Sequence, residues 1–261
     1  MYKKLSGLRY ILLIGLLVFL IAGFLYARSQ YVVPIIMYHS IDKNDAISRL
    51  SVSPESFKRQ MYFLKRHNYN VIRLEDMPEL VQKNHFPPKT ISITFDDGYE
   101  NNYTHAYPVL KELGLPATIF IVPMLVGREG YLTWDQIIEM SESGIISIGS
   151  HSMTHAYLPG LPEQRLRIEI DDSKRSIESH IKRPVYAFSY PTGGFDEHVR
   201  ERVRQAGYKI AVGTNPGRTY PKHDIYAMKR LRISKTSDNM AVFFIETSGF
   251  YTWIKEHRDE D

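Results

Sequence analysis

Two short segments hold most of the groups able to do chemistry. Thr94-Phe95-Asp96-Asp97-Gly98-Tyr99 sets two carboxylates side by side after a β-branched apolar run at 90–95. His151-Ser152-Met153-Thr154-His155 sets two imidazoles after another such run at 145–150. One carboxylate and two imidazoles make a donor set for a divalent ion, and an adjacent second carboxylate is left as a base. These groups together point to metal-assisted hydrolysis.

Spacing says how each group is used. An i,i+4 histidine pair in a helical turn aims both rings one way, at a separation suited to one ion. Adjacent carboxylates repel, so a buried Asp96–Asp97 pair needs a cation or a donor for each. Successive residues of extended chain point to opposite sides, which predicts different tasks. Asp97 as ligand with Asp96 as base is one assignment.

The elements that must position these groups alternate between strand and helix. Strands are expected at 32–38, 71–74, 90–95, 117–122, 145–150, 185–189, 209–212 and 227–233. Ser53 as N-cap with Pro54 behind it opens a helix whose apolar face is Phe57, Met61 and Leu64. Helices follow at 75–83, 101–113 with Gly114 as stop, 133–143 behind a Thr133/Gln136 capping box, 163–180 and 197–205, with one more at the end. No internal repeat is present. The fold class is α/β with a mostly parallel sheet. His39, Asp96, Asp97, His151 and Tyr190 each fall just past the carboxyl end of a strand, and in a barrel those ends share one face.

Composition narrows the function classes. Four basic residues, Lys3, Lys4, Arg9 and Arg28, are the only charged groups in the first 28, and beyond them Lys+Arg equals Asp+Glu at 29 each. The net charge of +4 therefore belongs to the amino terminus, and no basic footprint for nucleic acid remains. The absence of cysteine rules out disulfides, thiolate metal sites and cysteine nucleophiles.

The run 10–27 is uncharged and apolar, preceded by three basic residues and followed by one. It predicts a single-pass transmembrane anchor in residues 1–28, with the amino terminus in the cytoplasm and a catalytic domain, 29–261, outside. A cleaved signal peptide, giving a secreted enzyme, is the rival reading.

The two chemical segments, with Thr133-Trp134-Asp135 and Gly149-Ser150-His151, resemble the polysaccharide deacetylases (carbohydrate esterase family 4, the NodB-homology domain) over about residues 32–235. The resemblance implies a distorted (β/α) barrel of seven or eight strands. It implies Asp96 as catalytic base and Asp97, His151 and His155 as ligands of zinc, cobalt or nickel. Two departures stand out. The usual Arg-x-Pro-Tyr motif is replaced by Phe188-Ser189-Tyr190-Pro191-Thr192-Gly193, with Ser189 where the arginine would fall. The usual carboxy-terminal histidine motif is missing after residue 235. Both resemble the sub-branch that includes the biofilm poly-β-1,6-N-acetylglucosamine deacetylases, which implies His39, in Ile35-Ile36-Met37-Tyr38-His39-Ser40-Ile41, as the acid. Arg230 or Arg232, two apart on one strand face, should orient Asp96, and Arg230 fits the family pattern better. The backbone N–H of Tyr190 is the expected oxyanion donor.

The reaction implied is removal of N-acetyl groups from a cell-wall or biofilm glycan, releasing acetate. The alternatives are a glycan-binding module with a vestigial metal site and an O-acetyl esterase on the same fold. Glycan subsites are expected on loops 42–52 and 123–132.

Overall fold

The computed structural model describes residues 2–29, 31–43, 50–83, 85–214 and 224–251, with the side chains of 2–9, 27 and 28 excepted. Among the described residues nine strands form one sheet: β1 (Ile35–Tyr38), β2 (Asn70–Ile72), β3 (Thr90–Phe95), β4 (Ala117–Ile121), β5 (Ile146–Ser150), β6 (Ala187–Ser189), β7 (Ile210–Gly213), β8 (Met228–Lys229) and β9 (Leu231–Arg232). The order is β8-β7-β6-β5-β4-β3-β1-β9, with β2 also pairing β3. Every pairing is parallel.

The two ends of that order are consecutive in the chain. Only Arg230 separates β8, which pairs with β7, from β9, which pairs with β1. Counted as one interrupted strand, β8 and β9 make a nearly closed barrel of eight strands, within the expected seven or eight. Closure brings the carboxyl ends of all the strands to one rim.

Side-chain alternation builds two cores. Ile35, Phe120, Ala187, Ile210, Val212 and Met228 cluster in one. Their neighbours along the same strands, Ile36, Ile119, Ile121, Phe188 and Ala211, join the other, against the helices. That period of two sorts one face of the sheet from the other. A Cβ on Gly149 of β5 would overlap the Phe120 ring.

The helices are α1 (Tyr2–Ser29), α2 (Pro54–Arg66), α3 (Met77–Gln82), α4 (Tyr107–Leu113), α5 (Trp134–Glu142), α6 (Glu163–Arg167), α7 (Ser173–Ile181), α8 (Glu197–Gln205) and α9 (Met240–Glu246). Local signals set their ends. The Ser53 hydroxyl accepts from Ser56 N–H ahead of α2, the Thr133/Gln136 capping box opens α5, and Gly114 ends α4 at φ 62°. Two expected helices are interrupted. A π turn, Asn102–Ala106, precedes α4, and another, Ile168–Asp172, joins α6 to α7.

The membrane expectation is corrected. Among the described residues no helix is long and apolar enough to cross a membrane. The transmembrane helix, the membrane partner and the single-pass topology drawn from it therefore fall. Lys3, Lys4, Arg9 and Arg28, on which the orientation rested, have side chains outside the described residues. Loop 42–52 lies partly outside them as well, at 44–49.

Candidate metal centre and active site

Asp96 follows β3 and is held at the rim by its backbone N–H, which donates to Tyr38 C=O at 3.0 Å. Its carboxylate is buried against Arg230. Nη1 donates to Oδ1 at 2.7 Å and Nη2 to Oδ2 at 2.6 Å. The rest of the guanidinium is engaged too: Nη1 donates to Thr94 Oγ1 and Nε to Gly213 C=O, both at 3.3 Å, and Nη2 to Ser189 Oγ at 2.9 Å. All five donors of the arginine thus have acceptors, which fixes the fork in one orientation. Burial alone would push the Asp96 carboxyl up. The Arg230 charge and hydrogen bonds, with His151, outweigh it and hold the group well below the usual carboxylate range.

Arg230 and not Arg232 is the brace. The expectation that both share a strand face fails because the strand breaks at Arg230. That side chain turns into the barrel, over the Phe120 ring at 5.5 Å, while Arg232 is exposed. Ser189 is the other half of the exchange. It stands where the usual motif carries its arginine, and its hydroxyl accepts from Arg230 and donates to Asp96 Oδ2 at 3.3 Å. The guanidinium arrives from the closing strand, and the serine is small enough to admit it.

Asp97 does not continue an extended chain. It sits at φ 71°, followed by Gly98 at φ 72°, so the chain turns sharply after Asp96. This left-handed turn, and not strand alternation, sends the second carboxylate elsewhere. Its Oδ1 lies 3.6 Å from His151 Nε2 and 3.4 Å from His155 Nε2. Burial and the nearby Asp97 charge raise the Tyr99 hydroxyl well above its usual value.

The histidines are not in a helical turn either. His151 follows β5, with its N–H donating to Ile121 C=O at 2.9 Å. The next residues form a tight loop in which Ser152 and His155 have φ of 62° and 63°. Two left-handed residues fold the chain back so that the rings, 4.8 Å apart and 72° to each other, face the same carboxylate. The Ser152 hydroxyl accepts His155 N–H at 3.0 Å.

These residues fit a cation. His151 Nδ1 lies 2.8 Å from Ser189 C=O, which can only accept, so Nδ1 carries the proton and Nε2 presents its lone pair. Burial pushes the His151 imidazole down to about 4, which keeps it neutral. One donor atom from each of Asp97, His151 and His155 lies within 4.8 Å of the others. Donors about 2.0–2.2 Å from a tetrahedral ion sit roughly 3.3–3.6 Å apart, close to the spacings found. Burial and the charge of Asp96 raise the Asp97 carboxyl above its usual value, an effect that a cation at this site would relieve.

His39 follows β1 and is largely buried. The Asn102 amide, from the π turn 102–106, donates to its carbonyl at 2.8 Å. Burial lowers its imidazole, while the Asp96 and Asp97 carboxylates pull the other way. Its Nδ1 is buried with no hydrogen-bond partner among the described residues.

Tyr190 does not match its expected role. Its N–H donates to Val212 C=O at 3.0 Å, and its hydroxyl to Tyr226 C=O at 2.9 Å. An N–H held in the sheet ladder is not free for an oxyanion. Sequence reasoning also missed Tyr99, Ser152 and Glu169. The Glu169 carboxylate is fully buried and accepts from Thr154 N–H at 2.9 Å and Thr154 Oγ1 at 2.8 Å.

The family described as polysaccharide deacetylase matches residues 83–211. A Bacillus subtilis protein named "Putative polysaccharide deacetylase YxkH" is 36% identical over 77% of this chain and 71% of its own. This chain belongs to the polysaccharide deacetylases. The fold and the Asp-His-His triad make it a metal-dependent hydrolase of that family. A Staphylococcus aureus poly-β-1,6-N-acetyl-D-glucosamine N-deacetylase is 27% identical over 72% of this chain and 69% of its own. Among solved structures, the Streptococcus pyogenes deacetylase PplD in complex with acetate superposes with a TM-score of 0.75. It is 27% identical and covers 83% of this chain and 98% of its own. The Bacillus subtilis relative exceeds the Staphylococcus aureus one in identity, so membership is shown for the family and not for the poly-N-acetylglucosamine sub-branch.

Proposed function

We propose that residues 29–261 remove N-acetyl groups from a cell-wall or biofilm polymer of N-acetylglucosamine, releasing acetate. The observation that carries this reading is the opposition of two differently prepared carboxylates. Asp96 is held ionised by five-fold-bonded Arg230, and beside it Asp97 faces Nε2 of both His151 and His155. Asp97, His151 and His155 would hold a zinc ion or another first-row divalent ion, which would lower the pKa of a bound water and polarise the amide carbonyl.

The protein's own groups do the rest. Asp96, fixed by Arg230 with one face toward His151 at 3.8 Å, accepts the water's proton as carbon is attacked. His39 gives a proton to the departing amine, because an amide anion does not leave unprotonated. Its buried Nδ1, which has no partner among the described residues, supports that role, since such an atom is costly to keep unless it is used. The sub-branch is supported by the Phe188–Gly193 motif, by Ser189 admitting Arg230, and by the name of the Staphylococcus aureus relative.

The test is acetate release from poly-N-acetylglucosamine, peptidoglycan, chitin oligomers and O-acetylated xylan, with and without chelator. The expected result is chelator-sensitive release from an N-acetylated polymer. Release from O-acetyl xylan alone, or sugar binding without any acetate, overturns it.

A further inference from the structure

We infer that Glu169 is a positioning residue for the metal site, holding the 152–155 loop so that His155 meets the ion. The inference rests on the metal reading above and not on the identity of the glycan.

The loop does not hold itself. Ser152 and His155, neither of them glycine, take left-handed backbone conformations at φ 62° and 63°. Such residues persist only where their surroundings over-determine them. The surroundings here are mostly one residue. Glu169 C=O accepts Met153 N–H at 3.0 Å, its Oε2 accepts Thr154 N–H at 2.9 Å, and its Oε1 accepts the Thr154 hydroxyl at 2.8 Å. Only the N–H of His155 is held from within the loop, by Ser152.

Glu169 has no exposed surface, and burying a carboxylate is unfavourable unless it is paired. Its partner in charge is Arg165, whose Nη2 donates to Oε1 at 3.0 Å from a half-exposed side chain. The local backbone is adapted to the same end. Glu169 lies in the π turn Ile168–Asp172, which interrupts the helical ladder and lets its carbonyl serve a partner outside the helix.

The other ligands are held separately. His151 is fixed through Ser189 C=O, and Asp97 is set by its own left-handed turn ahead of Gly98. Loss of Glu169 should therefore loosen one ligand of three and leave the Asp96–Arg230 pair in place.

The experiment measures zinc affinity of the full chain by competition with a chromophoric chelator, beside thermal unfolding of the metal-free protein. The variants are Glu169→Gln, Thr154→Val, Thr154→Ser and, as a destabilised control in α7, Ile177→Val. Glu169→Gln should weaken zinc roughly 10- to 100-fold, as for other partners of metal ligands. Thr154→Val should weaken it roughly threefold to tenfold, the worth of one hydrogen bond, while Thr154→Ser stays near wild type. Ile177→Val should lower the unfolding temperature without moving zinc affinity.

Zinc bound as tightly by Glu169→Gln as by wild type overturns the inference, as does an equal loss in Ile177→Val. If Glu169→Gln does not fold, the Thr154→Val and Thr154→Ser pair decides alone. No substrate enters the assay. Unchanged affinity in an acetate-releasing enzyme sinks only the role of Glu169. Weakened affinity in a chain that releases no acetate sinks only the deacetylase reading. A wild-type chain that takes neither zinc nor any other first-row divalent ion overturns both.

Discussion

Breaking the Asp96–Arg230 pair should damage stability and chemistry together, and the size of each effect follows from the burial of both partners. Asp96 and Arg230 are 3% exposed, joined by two charge-assisted bonds of 2.7 and 2.6 Å. Replacing Arg230 by Met leaves a buried carboxylate without its cation, a loss of about 3–5 kcal/mol. For a chain of this size that lowers the unfolding temperature by roughly 6–20 °C. The direction in pH follows from the same pair. Burial is the largest influence on Asp96 and raises its carboxyl, and Arg230 is what reverses the sign. Without the arginine the carboxyl moves up, so the acid limb of the rate profile should shift to higher pH. Asp96→Asn should keep metal and lose about 10²–10⁴ in rate, the usual worth of a general base. The deciding assay is a double-mutant cycle by thermal unfolding of metal-free Arg230→Met, Asp96→Asn and the double variant, with acetate release followed against pH. The double variant should be markedly more stable than the sum of the single losses predicts. Additivity within about 0.5 kcal/mol would mean that the two groups do not interact, and the bracing argument would be refuted.

Asp97→Ala and His155→Ala should each lose bound metal and turnover together, read by metal content after dialysis beside acetate release. The buried His151 imidazole, at about 4 in the fold against 6.5 when free, favours the folded state fully above pH 6.5. That contribution, about 3 kcal/mol at 1.36 kcal/mol per pH unit, should fade in the metal-free protein as pH falls from 6.5 toward 4. His151→Asn should flatten that part of the stability profile. Gly149→Ala should destabilise by about 1–3 kcal/mol, since its methyl must displace the Phe120 ring. Chemical denaturation measures this, and a neutral result would show that the ring has room to move.

The residue types were legible because metal chemistry restricts them. Few side chains bind a divalent ion, and Asp97, His151 and His155 stand in a spacing that strand ends make meaningful. The alternating elements were legible too, since apolar runs and caps such as Ser53, Thr133 and Gly114 are local signals. The backbone at the site was not. An i,i+4 spacing reads as a helical turn, yet Ser152 and His155 build a loop, whose Thr154 N–H and hydroxyl are taken by Glu169, 15 residues on. Two adjacent aspartates read as extended chain, yet Asp97 turns left-handed before Gly98. Tyr190 N–H reads as available, but β7 takes it. The apolar amino-terminal run reads as a span, and no described helix meets the length and apolarity a span requires.

By itself the sequence determined the inventory: which groups can bind an ion, which can move a proton, and that strand ends carry them. Those are properties of side chains and of patterns a few residues long. The tertiary structure decided which groups meet. Arg230 lies 134 residues from Asp96 in sequence and Ser189 lies 93 from it, and only closure of the barrel through β8 and β9 puts all three in contact. Contacts at that separation depend on how the whole sheet curves, and no short window of sequence holds that information.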